Sequence, residues 1–108
     1  LGESQAVRIL VSLNVLMELT NAVVDTVDSF STPEHLTAAR AIEEAQFDKR
    51  SGKYILTIRG NDPLWRLEVA IDNWLDISQD NPEWATMIPE MRRILKRLRD
   101  RPGRRPLW

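Results

Sequence analysis

Ala6-Val7-Arg8-Ile9-Leu10-Val11-Ser12-Leu13-Asn14-Val15-Leu16-Met17-Glu18-Leu19-Thr20-Asn21-Ala22-Val23-Val24 is the most apolar stretch of the chain, and its period decides the fold. Val7, Leu10, Val11, Leu13, Leu16, Met17, Val23, Val24 and Val27 recur at helical spacing, with Ile9, Val15, Leu19 and Ala22 filling much of the rest. The spacing predicts one long helix over residues 3–29. Ser12, Asn14, Glu18, Asn21, Asp25 and Asp28 leave it a narrow polar stripe, and a helix apolar on most sides must be covered on most sides. Such a helix is either central or an interface between subunits. The same polar interruptions break the run of about 20 apolar residues that a bilayer span needs. No membrane association is predicted.

Ser31-Thr32-Pro33-Glu34 is a helix start, with Thr32 placed to cap and Pro33 bringing a preset φ. The second helix is expected to reach about Ala45 on a thin apolar face. From Phe47 the period changes. A Ser51-Gly52 turn followed by Tyr54-Ile55-Leu56-Thr57-Ile58 reads as a short hairpin. Two strands alone are marginal in water, so the pair must lie on the helices or gain a strand from another copy. Asn61-Asp62-Pro63 repeats the cap-then-proline signal ahead of a third helix ending near Gln79, and Asp80-Asn81-Pro82-Glu83 gives it again. Pro89 interrupts the fourth segment, while Trp84, Met87, Ile88, Met91, Ile94, Leu95 and Leu98 keep helical spacing through it. The expected form is a kinked helix, or a short turn leading into a helix from Pro89 to about Asp100. The whole predicts a mainly α fold, a four-helix domain with one short β-hairpin between helices two and three. Residues 1–100 make a single helical domain and 101–108 a basic flexible tail.

Size and composition agree with one folded domain. The chain has 108 residues, 43% hydrophobic and 29% charged, within the globular range and away from the disordered one. It contains no cysteine, which excludes disulfides, thiolate metal sites and thiol nucleophiles and favours a cytoplasmic setting. The acidic start Leu1-Gly2-Glu3-Ser4 is unlike a secretory leader. Because the first residue is not methionine, a domain of a longer protein is expected.

The formal net charge of −1 conceals a segregation. Residues 1–91 hold 15 acidic and 7 basic side chains, a net of −8, whereas residues 92–108 hold 8 basic and 1 acidic, a net of +7. Arg92, Lys96 and Arg99 line one stripe of the last helix, Arg93, Arg97 and Arg101 an adjacent one, and Arg104 and Arg105 follow in the tail. Three readings compete. The cations oppose the helix macrodipole and pair with the acidic body; they dock an acidic protein partner or another copy's acidic face; or they contact nucleic-acid phosphates. The sequence pI of about 5.8 and the lack of a nucleic-acid-binding motif weigh against the last. Trp74 and Trp84 fall on core stripes. Trp65, off the main face of its helix, and Trp108, at the end of the tail, are the aromatic residues that could anchor a partner.

Catalysis has little to work with. His35 is the single histidine and nothing marks it as a base. Carboxylates cluster as Asp25 and Asp28, as Glu43 and Glu44, and as the ladder Glu68, Asp72 and Asp76; the ladder lies away from Leu67, Ile71 and Trp74 and reads as a solvated face. No enzyme activity, cofactor or metal is predicted. The predicted function is a non-catalytic protein–protein interaction or regulatory module, a cytoplasmic homodimer. Its partner-binding set is Arg92, Arg93, Lys96, Arg97, Arg99, Arg101, Arg104, Arg105, Trp65 and Trp108, directed at an acidic protein surface. Nucleic acid is the alternative partner.

Overall fold

Residues 6–11 form a strand, and the long first helix expected from the apolar period is thereby corrected to a strand followed by a shorter helix. The structure is a computed structural model that describes residues 6–25 and 33–105, with the side chains of residues 24, 25 and 33–36 outside the description. In order the elements are β1 (Ala6–Val11), α1 (Leu13–Asp25), α2 (Pro33–Glu43), β2 (Gln46–Asp48), β3 (Lys53–Arg59), α3 (Asn61–Ser78), a 3-10 turn (Pro82–Trp84) and α4 (Ile88–Arg99). The expected four helices and the hairpin between the second and third are present, but the fold is mixed α/β and not mainly α. A three-stranded antiparallel sheet in the order β1-β3-β2 is one of its two layers.

The physical reason lies in the alternation within β1. Val7, Ile9 and Val11 are buried while Ala6, Arg8 and Leu10 are exposed, a period of two that a helix cannot produce. Two of those outward residues, Ala6 and Leu10, are apolar, so the polar half of the alternation is nearly erased and the run also satisfies a helical template. The buried residues are all β-branched, the type that fits a half-buried pleated surface. Ser12 then opens α1, its carbonyl accepting the first helical bond from the Leu16 amide at 2.9 Å. Glu90 of α4 fixes that corner by accepting from the Ser12 amide at 2.7 Å and from its hydroxyl at 2.9 Å, which places a carboxylate at a helix N-terminus where the backbone dipoles favour it.

The hairpin does not lack a third strand, because β1 supplies it from the same chain. Val7 lies opposite Ile58, Ile9 opposite Leu56 and Val11 opposite Tyr54. Across the turn, Ser51 donates its hydroxyl to Asp48 Oδ2 at 2.7 Å, the Gly52 amide reaches the Asp48 carbonyl at 2.9 Å, and Gly52 takes the positive φ of 70° that glycine adopts without strain. One sheet face carries Val7, Ile9, Val11, Leu56 and Ile58 into the core. Complete burial of a side chain such as Leu56 stabilises the fold by about 1.5–3 kcal/mol.

Four helices cover that face. Val15, Leu16, Leu19, Ala22 and Val23 of α1 are buried, as are Ala38 and Ile42 of α2, Leu64, Leu67, Ala70, Ile71 and Trp74 of α3, and Met91, Ile94, Leu95 and Leu98 of α4. α1 packs on α2 and α3, and α3 also packs on α4. Trp74 donates its indole N–H to Glu18 Oε2 at 2.9 Å and meets the half-buried Trp84 edge-on, with ring centroids 6.2 Å apart. Splitting the apolar stretch into strand and helix lets one chain bury most of it. Leu10, Leu13 and Met17 are its large exposed remainder.

The later helix starts differ in detail. Asn81 does cap, its side chain accepting from the Glu83 amide at 3.0 Å ahead of the 3-10 turn, and Pro89 sits in the first turn of α4 where its missing amide costs nothing. Asn61 does not cap α3. That role falls to Gly60, at φ 94° and ψ 141°, and its carbonyl accepts from Leu64 at 3.2 Å. A Cβ at Gly60 would sit 3.4 Å from Pro63 Cδ on a backbone that other residues rarely adopt. Gly60→Ala should therefore lower stability by about 1–3 kcal/mol in urea titration; an unchanged midpoint would mean that the turn relaxes freely. The cap expected of Thr32 lies outside the described residues.

Candidate interaction surfaces

α4 presents a buried stripe, Met91, Ile94, Leu95 and Leu98, and an opposite face of cations. The structure divides the predicted basic set into residues that the fold uses and residues that it leaves exposed. Lys96 pairs with Asp100 at 2.8 Å, one turn apart on the surface; its ammonium pKa is raised by the hydrogen bond to that carboxylate and then by its charge, so this contribution is present at neutral pH and fades only as the solution turns strongly alkaline. Arg99 reaches Asp72 of α3 at 3.3 Å in an exposed pair. Such pairs contribute little.

Arg101 and Arg104 are different. The Arg101 side chain is 1% exposed, and its guanidinium donates to the Glu68 carboxylate, to the Leu98 carbonyl at 2.6 Å and to Asn61 Oδ1 at 3.0 Å. Arg104 donates Nε to the other Glu68 oxygen at 2.8 Å, and its guanidinium carbon lies over the Trp65 ring, 5.0 Å from the centroid. The Asn61 side chain completes the clasp by accepting from the Arg105 amide at 2.8 Å and donating to the Arg105 carbonyl at 2.7 Å. Residues 101–105, expected as a flexible tail, thus lie against the amino-terminal half of α3. Glu68, expected on a solvated face, is 3% exposed and is the buried carboxylate on which the tail converges.

Two consequences follow for the predicted anchors. Trp65 is buried beneath Arg104 and is not an exposed docking residue. Trp108 lies outside the described residues, as do Asp28 and the side chain of His35. Arg92, Arg93, Arg97 and Arg105 are exposed and form no ion pair among the described residues. Arg92 borders a groove of about 480 Å³ between α3 and α4 that Asp72 and Asp76 also line, whereas Arg93 and Arg97, about one helical turn apart, do not line it.

A second basic surface was not legible in the sequence. The outward sheet face and α2 enclose a groove of about 550 Å³ that brings together Arg8 of β1, Arg59 of β3 and Arg40 of α2. These arginines stand apart along the chain, each alone in its neighbourhood. The β1–β3 register joins Arg8 to Arg59 and the packing of α2 beside β3 adds Arg40, and reading residues 6–11 as helix removes the first of these links. Among the described residues, no group of three or more His, Asp or Glu side chains converges in a way that could hold a metal ion, and no helix is long and apolar enough to cross a membrane.

No family model matches this chain, and no curated protein or solved structure shows significant similarity to it.

Proposed function

We propose that this protein is a non-catalytic interaction module that docks an acidic protein surface on the outer face of α4, with Arg93 and Arg97 at its centre and Arg92 and Arg105 flanking them. The observation that carries the reading is the division of the basic set. Lys96, Arg99, Arg101 and Arg104 have carboxylate partners within the domain, whereas Arg93 and Arg97 are exposed guanidiniums with none among the described residues. Opposing the macrodipole accounts for cations in the last turn, at Lys96, Arg97 and Arg99, but Arg93 lies earlier in the helix. Arginine is also the charged side chain that most often forms interface hot spots. The cysteine-free composition favours the cytoplasm as the place of action.

Self-association is not part of the proposal. Its sequence grounds were a long helix needing cover and a hairpin needing a strand, and both needs are met within one chain. Exposed Leu10, Leu13 and Met17 are what is left of that argument.

The test places a photo-crosslinking residue at position 93 in cells and compares the adducts with those of an R97E variant. An adduct to an acidic protein, lost on R97E and weakened by salt in a purified binding assay, is the expected result. Adducts indifferent to R97E would remove α4 as the docking face. Titration of the purified protein with a single-stranded oligonucleotide separates the alternative, because phosphate contacts lose affinity linearly in log salt; oligonucleotide binding abolished by R93E/R97E would replace the protein partner with nucleic acid.

A further inference from the structure

We propose that the groove between α2 and the uncovered face of the sheet is a binding site for a small soluble phosphorylated ligand, held by Arg8, Arg40 and Arg59. The site is independent of the α4 face. Arg8 lies opposite Thr57, and Arg59 lies two residues further along β3 on the same face, so the two arginines are diagonal neighbours about 7–8 Å apart at the backbone. α2 runs beside β3 and brings Arg40 to the same groove. Against these three permanent positive charges the described lining holds one carboxylate, Glu44, and none of the three arginines forms an ion pair among the described residues.

Like charges gathered around one groove repel one another, and the core does not require them, since Arg8, Arg40 and Arg59 are all exposed. An anion that recruits all three would offset that repulsion. The net of two positive charges in the groove matches a phosphoryl group, which carries about −1.5 to −2 at neutral pH, better than a single carboxylate. Planar guanidinium forks are also the side chains best suited to grip phosphoryl oxygens two at a time. The volume falls in the range of small-molecule sites, roughly 300–1,000 Å³, and exceeds what one phosphate needs. Ile55 and Ala41 give it an apolar floor on which an organic body can rest, with the Thr57 hydroxyl beside it. These features describe an organic phosphate of about nucleotide size.

Calorimetric titration of the intact chain with ADP, inorganic pyrophosphate and citrate tests the assignment. Saturable ADP binding is expected, weakened at least tenfold by each of R8Q, R40Q and R59Q and unchanged within about twofold by R93E/R97E. R8Q and R59Q should unfold at or above the temperature of the parent without ligand, because each removes a charge with no ion pair among the described residues, while R40Q, in the last turn of α2, should lose no more than about 1 kcal/mol. That measurement separates loss of a site from loss of the fold. Several outcomes would overturn the proposal: no ADP binding tighter than about 1 mM, equal loss in R93E/R97E, citrate binding as tightly as ADP, or the protein co-sedimenting with phosphoinositide vesicles while ignoring ADP. If the α4 reading failed in its crosslinking test, this binding would be unaffected.

Discussion

Replacing Glu68 with alanine is expected to destabilise the protein by about 3–5 kcal/mol, the cost of leaving a buried charge without its partner. The side chains of Glu68 and Arg101 are 3% and 1% exposed, so water cannot replace the carboxylate, and Arg104 loses its acceptor as well. Against a total stability of roughly 5–15 kcal/mol for a domain, this is a large share. The thermal midpoint should fall by more than about 10 °C. Trypsin should also cut faster after Arg104, the one arginine of residues 101–105 not followed by proline, because this segment is held through Glu68 and Asn61. Substituting Glu68→Leu and Arg101→Met together should recover much of the loss, since a buried ion pair replaced by packed apolar side chains is often nearly neutral. A Glu68→Ala variant that loses less than about 1 kcal/mol and resists trypsin as the parent does would mean that the tail is held by other contacts.

Ile9→Ala should cost about 2–4 kcal/mol while Leu10→Ala stays within roughly 0.5 kcal/mol. The contrast follows from the sheet: Ile9 is 8% exposed and lies opposite Leu56 in the core, whereas Leu10 is 50% exposed on the outer face. A helical reading of the same residues inverts the order, because there Leu10 shares the apolar stripe with Val7 and Val11. Urea unfolding of the two variants therefore distinguishes a strand from a helix at residues 6–11 without further structural work. Equal losses at both positions would contradict the alternation on which the sheet rests.

Much of the architecture is written locally and could be read locally. Ser51-Gly52 with the β-branched run after it marks the hairpin, Asn81-Pro82 marks a turn, and the Met91, Ile94, Leu95 and Leu98 stripe marks α4. What escaped was set by contacts between distant residues. Apolar Leu10 fills an outward strand position and makes a period of two resemble a period of 3.6. Asn61, in a sequence context that signals a cap, spends its side chain on Arg101 and Arg105, 40 and 44 residues away. Glu68, Asp72 and Asp76 share a helical face, yet the returning tail buries only the first. Charge counting places the cations on α4 but does not show which of them the fold pairs with carboxylates. The three-arginine groove had no local signature at all.

The Glu68–Arg101 pair also bears on how the protein is made. Glu68 leaves the ribosome with α3, while its counter-charge follows 33 residues later, beyond α4. A nascent chain that ends between them has all three strands, but the segment whose Arg101 and Arg104 cover Glu68 has not yet been made, so that carboxylate still faces water. The two halves of the clasp can therefore meet only after α4 has been synthesised, which makes this ion pair one of the last contacts open to the described fold.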